Sequence, residues 1–251
     1  MNYRLARPSV LIDISNIENP NEVRDEDDGI RIKATTTQAF AEKNPDLRRR
    51  LPVLAAAIEN IAHFQIRNKG TVGGSIVNAD PASELPAMSL LLDAELEIRS
   101  TSQTRTIPAE ELFITYMTTT LEPDEVLASI LFKAPPADSG WGLHEVARRA
   151  GDFALVGSAA ILALDEQGNC TYARVVLFGV AATPVRAPEV EETLVGAVCS
   201  EELIASVAAS VTALIDPESD VHVTEAYRAR TAQVLTARAL KDAWNMATGA
   251  A

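Results

Sequence analysis

The sequence is poor in cysteine, histidine, aromatic residues and positive charge, and it has no long apolar run. Its 251 residues include 2 cysteines, Cys170 and Cys199. An iron–sulfur cluster typically takes about four thiolates and a zinc ribbon takes paired thiolate motifs, so this chain alone builds neither. Neither cysteine is placed as a nucleophile, since Cys170 follows a turn and Cys199 precedes a helix cap, and no cytosolic disulfide is expected. The 3 histidines, His63, His144 and His222, are scattered and lack the spacing of metal ligands. Surface or structural roles suit them, although His63 and His144 lie near segments that could touch a cofactor. No Ser/His/Asp order stands out.

The 22 Lys and Arg residues against 35 Asp and Glu leave a net charge of −13. That sign argues against a broad surface for nucleic-acid phosphates or an anionic membrane, while a compact phosphate held by backbone N–H groups remains compatible with it. No segment approaches the roughly 20 apolar residues of a membrane span, and Met1 to Pro8 lacks the apolar core of a signal peptide. A cytoplasmic protein is expected. With 47% hydrophobic residues the chain can bury one large core or two modest ones.

Val10 to Ile14 suits a strand, and Ile30 to Ala34 alternates as a half-buried one. Between them Asn19-Pro20-Asn21 and Asp25 to Gly29 read as turns, the second a solvated acidic tip rather than a metal site. Thr36 or Thr37 could cap a short helix that Asn44-Pro45 ends, and a second helix runs from Leu51 towards Ile61. Arg48-Arg49-Arg50 ahead of it reads as an exposed flank. Further on come an apolar helix over Pro86 to Leu92, strands near Ala94 to Arg99 and Asp124 to Phe132, and a linker at Ala134 to Gly140. Leu155 to Leu164 and Ala173 to Val180 form a hairpin around Asp165 to Asn169. Helices follow over Glu189 to Leu194, Ser200 to Leu214 and Glu225 to Trp244. The spacing thus predicts domains over 1–136 and 137–251.

Three of the 12 glycines fall within five residues, in Gly70-Thr71-Val72-Gly73-Gly74, followed by Ser75. Consecutive glycines allow a positive φ and close ligand approach, and peptide N–H groups in such a turn can cradle an anion, with Thr71 and Ser75 hydroxyls as further donors. The pattern is neither G-x-G-x-x-G nor a Walker loop, because Lys69 precedes the glycines. A tight strand-to-strand turn is the other reading of the same residues. Downstream, Asp80-Pro81-Ala82-Ser83-Glu84-Leu85-Pro86 places two carboxylates in a loop where they could accept from a ring nitrogen or ribose hydroxyl. Asp80 or Ser83 could equally cap the next helix.

Taken together, Gln65 to Ser75 and Ala79 to Pro86 resemble the flavin-binding medium subunits of molybdenum hydroxylases, the carbon monoxide dehydrogenase and xanthine dehydrogenase family. Leu5-Ala6-Arg7-Pro8 with Leu11 to Ile14, Thr120 to Glu125, Ala147 to Ala154, and Thr183 to Arg186 extend the resemblance, in order, over nearly the whole chain. It implies an α+β protein: an FAD-binding domain of the vanillyl-alcohol-oxidase (PCMH) type, then a smaller α+β domain with an antiparallel sheet and helices. It also implies a molybdopterin-binding large subunit and a [2Fe-2S] small subunit as partners, with electrons passing from the clusters through FAD to an acceptor. By that match Thr71, Val72, Gly73, Gly74 and Ser75 contact the FAD pyrophosphate. Asp80 and Glu84 are polar cofactor contacts, Glu84 on the ribose or adenine side, and Leu127 is an apolar wall near the ring system. Arg148, Arg149 and Asp152 match a block near the flavin and the domain interface.

Two substitutions depart from the family pattern, Ser75 for Asn and Glu84 for Asp, and both change reach while keeping polarity. Family members also carry an Ala-Gly-Gly-x-x-Leu turn a few tens of residues before the first block, and this chain starts too late to include it. The expectation is therefore an FAD domain lacking its leading segment. The alternative is a truncated structural or assembly partner that binds no flavin.

Overall fold

The computed structural model describes residues 8–15, 17 and 19–249. Its first half contains β1 (Val23–Glu26), β2 (Gly29–Lys33), α1 (Gln38–Glu42), α2 (Pro45–Arg50), α3 (Pro52–Asn60), α4 (Phe64–Arg67), α5 (Val72–Asn78), α6 (Glu84–Leu91), β3 (Glu95–Arg99), β4 (Thr104–Pro108), β5 (Phe113–Thr115), β6 (Thr118–Thr119) and β7 (Val126–Lys133). The second half contains β8 (Gly140–Val146), β9 (Val156–Leu164), β10 (Cys170–Phe178), β11 (Val185–Arg186), α7 (Pro188–Leu194), α8 (Glu201–Ser210) and α9 (Glu225–Ala247). No helix among the described residues is long and apolar enough to cross a membrane.

In the first half, β1, β2, β7, β3 and β4 pair antiparallel in that order. Residues alternate along β2 and β3, so Ile30, Ile32, Leu96 and Ile98 share one buried side, as period-2 side-chain geometry requires. Leu47, Leu54, Ile58, Ile76 and Met88 from α2, α3, α5 and α6 fill that side. Asn44 ends one helix and caps the next, its Oδ1 accepting the Leu47 N–H at 2.9 Å.

The second sheet runs β11-β10-β9-β8, also antiparallel. Its expected hairpin strands are near-continuous apolar runs because both faces are covered. Ala159, Ile161, Val176 and Phe178 join the first core, while Val156, Leu162, Val175 and Leu177 pack under α7, α8 and α9. Gly140 and Gly142 on β8 are required there, since a Cβ on either would strike the α9 backbone at Ala243 and Ala239.

Several expectations change. Val10 to Ile14 is exposed and joins no sheet among the described residues, so its run of β-type apolar residues alone did not make a strand. Leu5, Ala6 and Arg7 of the first block lie outside the described residues. The Gly-Gly segment is neither a loop nor a strand-to-strand turn; it opens α5. The helix placed at Pro86 begins at Glu84. Arg49 and Arg50 pair with Asp25 of the acidic tip, and Arg48 with Glu59 at 2.6 Å, so that flank is neutralised within the chain.

Arg186, from the last resembling block, joins the two halves. Its guanidinium reaches Glu191 at 2.9 Å, Asp93 at 2.8 Å and Glu110 at 2.7 Å. Glu191 is nearly buried and also accepts the Val175 N–H at 2.9 Å. Removing the cation leaves a buried carboxylate with Arg174, at 3.7 Å, as its one remaining cation among the described residues. Arg186→Ala is therefore expected to cost about 2–4 kcal/mol, read by denaturant unfolding, and an unchanged midpoint would contradict this latch.

Candidate cofactor site

The α5 helix starts where Thr71, at φ −104 and ψ 156, turns its hydroxyl back to accept the Gly74 N–H at 3.0 Å. The neighbouring amides are also engaged: Val72 N–H donates to Thr36 O and Gly73 N–H to Ala34 O, both at 2.9 Å, and Ser75 N–H to Thr71 O at 3.1 Å. These bonds stitch the helix start to the chain leaving β2. They account for the glycine at 73, where a Cβ would land on Ala34. The open amide cradle expected from the glycines is thus largely closed by the chain itself, and the polar groups left facing outward are hydroxyls.

Two cavities meet at Gly74. The larger, about 600 Å³, brings Thr71, Gly73 and Gly74 together with Leu127 on β7, Thr35, Thr37 and Lys69. Lys69, discounted in sequence because it precedes the glycines, shares this wall, and its ammonium has no ion-pair partner among the described residues. The smaller, about 380 Å³, is lined by Thr71, Gly74, Ser75, Glu84, Gln38 and Asp152, with Phe153 at its edge. Asp80 lies apart from both, in a third hollow of about 830 Å³ with Tyr116, Arg148 and Arg228, and its Oδ1 accepts the Ala82 N–H at 2.9 Å. Val72 is fully buried, so its side chain belongs to the core. Asp152 and Phe153 line both the second and third hollows, whereas Arg149 lines none of the three.

Residues 1–133 match the family described as the FAD binding domain in molybdopterin dehydrogenase, and residues 141–243 match the CO dehydrogenase flavoprotein C-terminal domain. The chain belongs to the flavin-binding medium subunits of molybdenum hydroxylases. Its cofactor is FAD. The chain is 36% identical over 247 residues to the 6-hydroxypseudooxynicotine dehydrogenase complex subunit alpha of Paenarthrobacter nicotinovorans, covering 98% of this chain and 83% of that one. It is 33% identical over 246 residues to the carbon monoxide dehydrogenase medium chain of Hydrogenophaga pseudoflava, covering 97% and 85%. Among solved structures, carbon monoxide dehydrogenase from Hydrogenophaga pseudoflava superposes with a TM-score of 0.94 at 33% identity, over 98% of this chain and 85% of that chain. Quinoline 2-oxidoreductase from Pseudomonas putida 86 superposes with a TM-score of 0.92 at 31% identity, again over 98% and 85%.

Within this flavoprotein subunit the electrostatics of the two cavities differ. Lys69 and hydroxyls line the larger one, together with Asp13 and with Glu125, whose carboxylate is paired with Arg105 at 2.7 Å. The smaller contains Glu84, 4% exposed. Burial, reinforced by the negative charges of Glu145 and Asp80, pushes its carboxyl up to about 8. Burial likewise raises Glu145, against a hydrogen bond from the Asn60 side chain.

Sequence reasoning missed Lys69, Gln38, Thr35 and Thr37. Gln38 and Thr37 come near α5 through a single bridge between Thr37 and Thr71, a pairing 34 positions apart that no local pattern announces. Two of the three histidines are engaged at the surface: His144 Nε2 lies 2.7 Å from Asp242, and His222 Nδ1 lies 3.4 Å from Arg148. Cys170 and Cys199 are buried free thiols. Among the described residues, no cluster of three or more His, Cys, Asp or Glu side chains could hold a metal ion.

Proposed function

We propose that this chain is the FAD-binding electron-transfer subunit of a molybdenum hydroxylase complex. It works beside a molybdopterin-binding large subunit and a [2Fe-2S] small subunit, receives electrons from the clusters and passes them to an external acceptor. The division of the chain at 136 and 137 into an FAD-binding part and a C-terminal part belongs to the same proposal. The observation that carries the reading is the meeting of two cavities at Gly74, one lined by hydroxyls, Lys69 and Leu127 together with Asp13 and an Arg105-paired Glu125, the other holding Glu84 and Asp152.

That pairing fits a dinucleotide with an anionic centre and donor-bearing ends. The Thr71 hydroxyl, having accepted the Gly74 N–H, keeps its own proton to donate to the pyrophosphate, with Lys69 as counter-charge and Ser75 on the other side of the glycine. Gly73 and Gly74 let the cofactor approach the backbone, and Leu127 packs against its apolar part. Glu84 donates to or accepts from one polar edge, and Asp80, in the third hollow, serves as an acceptor. When bound, FAD supplies the redox chemistry, and the protein orients it and sets the local charge.

Co-expression with the two partner subunits tests this. The purified complex is expected to contain one flavin per copy of this chain, read from its visible absorbance, and Lys69→Ala is expected to weaken FAD binding about tenfold. A complete complex without flavin would sink the proposal.

A further inference from the structure

Two buried polar side chains open on the smaller cavity without a bond to the protein. Gln38, the first residue of α1, is 4% exposed, and among the described residues nothing bonds its carboxamide. Its backbone N–H donates to Gly70 O at 2.9 Å, and the bridge between Thr37 and Thr71 fixes it beside the start of α5. The amide lies over Gly70, where a Cβ would come 2.9 Å from Oε1 and 3.4 Å from Nε2. Oε1 is enclosed and unpartnered, so the atom that the amide presents to the cavity is Nε2. Ser83, 5% exposed, stands at the N-cap of α6 with φ −85 and ψ 145, yet its hydroxyl takes no amide of the first turn and no other partner among the described residues. A buried amide with an unpaired oxygen costs stability, and an N-cap serine that caps nothing contributes none. Folds keep such groups where a ligand uses them, which here is a hollow of about 380 Å³.

What these two side chains offer is donors. The Gln38 amide nitrogen carries N–H groups and Ser83 an O–H, while Ile61, Ala62, Ile66 and Phe153 supply apolar wall. Among the parts of FAD, the flavin answers this best, because its pyrimidinedione ring has two carbonyls flanking an N–H on the edge of a broad ring system. Adenine carries no carbonyl, and its exocyclic amine is itself a donor.

We propose that Gln38 and Ser83 hold the pyrimidinedione edge of the flavin, the Gln38 amide donating to a ring carbonyl and the Ser83 hydroxyl bonding the next polar atom along that edge. This rests on FAD being the ligand of the site. It sets Glu84, which lines the same cavity, beside the flavin and not on the ribose or adenine side. A donor at a ring carbonyl draws electron density from the flavin, so both residues also favour its reduction.

Gln38→Met keeps the length of the side chain and removes its hydrogen bonding. In the flavin-free full chain it is expected to melt at or above the wild-type temperature, because an unpaired buried amide has gone. In the co-expressed complex, stripped of flavin and titrated, the variant is expected to bind FAD about tenfold more weakly. ADP-ribose, which has the adenine and pyrophosphate but no flavin, should bind it as it binds the wild type. The flavin that the variant retains should be harder to reduce, a change that lost packing alone does not cause. Ser83→Ala is the second test, with a loss of about fivefold confined to FAD. FAD affinity left unchanged by both variants, or ADP-ribose affinity lowered in step with it, overturns the assignment of this edge and leaves FAD as the ligand. A wild-type complex that binds neither FAD nor ADP-ribose overturns the FAD reading, and this edge with it.

Discussion

Gly73→Ala is expected to lower the melting temperature by roughly 2–12 °C and to loosen FAD binding with it. The added Cβ would sit on the Ala34 side chain, 2.7 Å from its Cα and 2.8 Å from its carbonyl oxygen, so α5 must move away from the end of β2. That movement breaks the Gly73 N–H bond to Ala34 O and strains the adjacent Val72 N–H bond to Thr36 O. Overpacking of this kind costs about 1–3 kcal/mol, and for a chain of this size each kcal/mol lowers the melting point by about 2–4 °C. Gly74→Ala makes the contrast. Its Cβ would meet only the Thr71 hydroxyl, at 2.6 Å, so the loss is that of an N-cap, about 1 kcal/mol. If Gly73→Ala melts with the wild type while Gly74→Ala does not, backbone approach is not what the first glycine serves.

The second large effect is a pH-dependent gain from Glu84→Gln. The carboxyl sits near 4.5 in an unfolded chain and is pushed up to about 8 in the fold, so the folded state binds its proton more tightly. A raised acid of this kind contributes stability that is complete below 4.5 and is lost as pH climbs towards 8. At ~1.4 kcal/mol per unit of pKa, the span sets a ceiling of about 5 kcal/mol, and water entering the cavity reduces it to a few kcal/mol. Glutamine, being neutral throughout, escapes the penalty. Urea unfolding at pH 5 and pH 8 should therefore show the variant gaining on the wild type by a few kcal/mol across that window. Carboxyls held low, such as Glu125 beside Arg105, act below 4.5 and do not obscure it. An unchanging difference between the two proteins at both pH values would show that Glu84 is not a buried acid.

How much of this was legible in advance differs from element to element. The hairpin of β9 and β10 was readable because apolar β-type runs flank Asp165 to Asn169, whose Asp165 Oδ1 ties the turn by accepting the Asn169 N–H at 2.8 Å. Helices α7, α8 and α9 were readable from 3.6-residue spacing, and the structure adds side-chain caps at Ser200 and Thr224. Strand β8 was not: its glycines serve contacts with α9 about a hundred positions away, and locally Gly140 looked like the end of a linker. Val10 to Ile14 failed in the opposite sense, having β-type apolar residues without a sheet to join. The family was legible throughout, because ordered blocks of residues survive as a pattern even where the reason for each residue is tertiary.

By itself, the sequence determined the class of molecule: an acidic α+β chain without thiolates for a cluster, with a Thr-Val-Gly-Gly-Ser turn in the context of a flavin-binding family. These properties live in composition and in short ordered motifs, which depend on neighbours along the chain. Only the tertiary structure decided that the turn is the start of a helix whose amides are already engaged, that Lys69 and hydroxyls line one cavity at Gly74, and that Glu84 is buried in the wall of the other. Those outcomes depend on burial and on which distant groups meet across the junction of two sheets. Charge and hydrogen bonding in a site are set by distance in space, and a linear sequence specifies that distance only after it has folded.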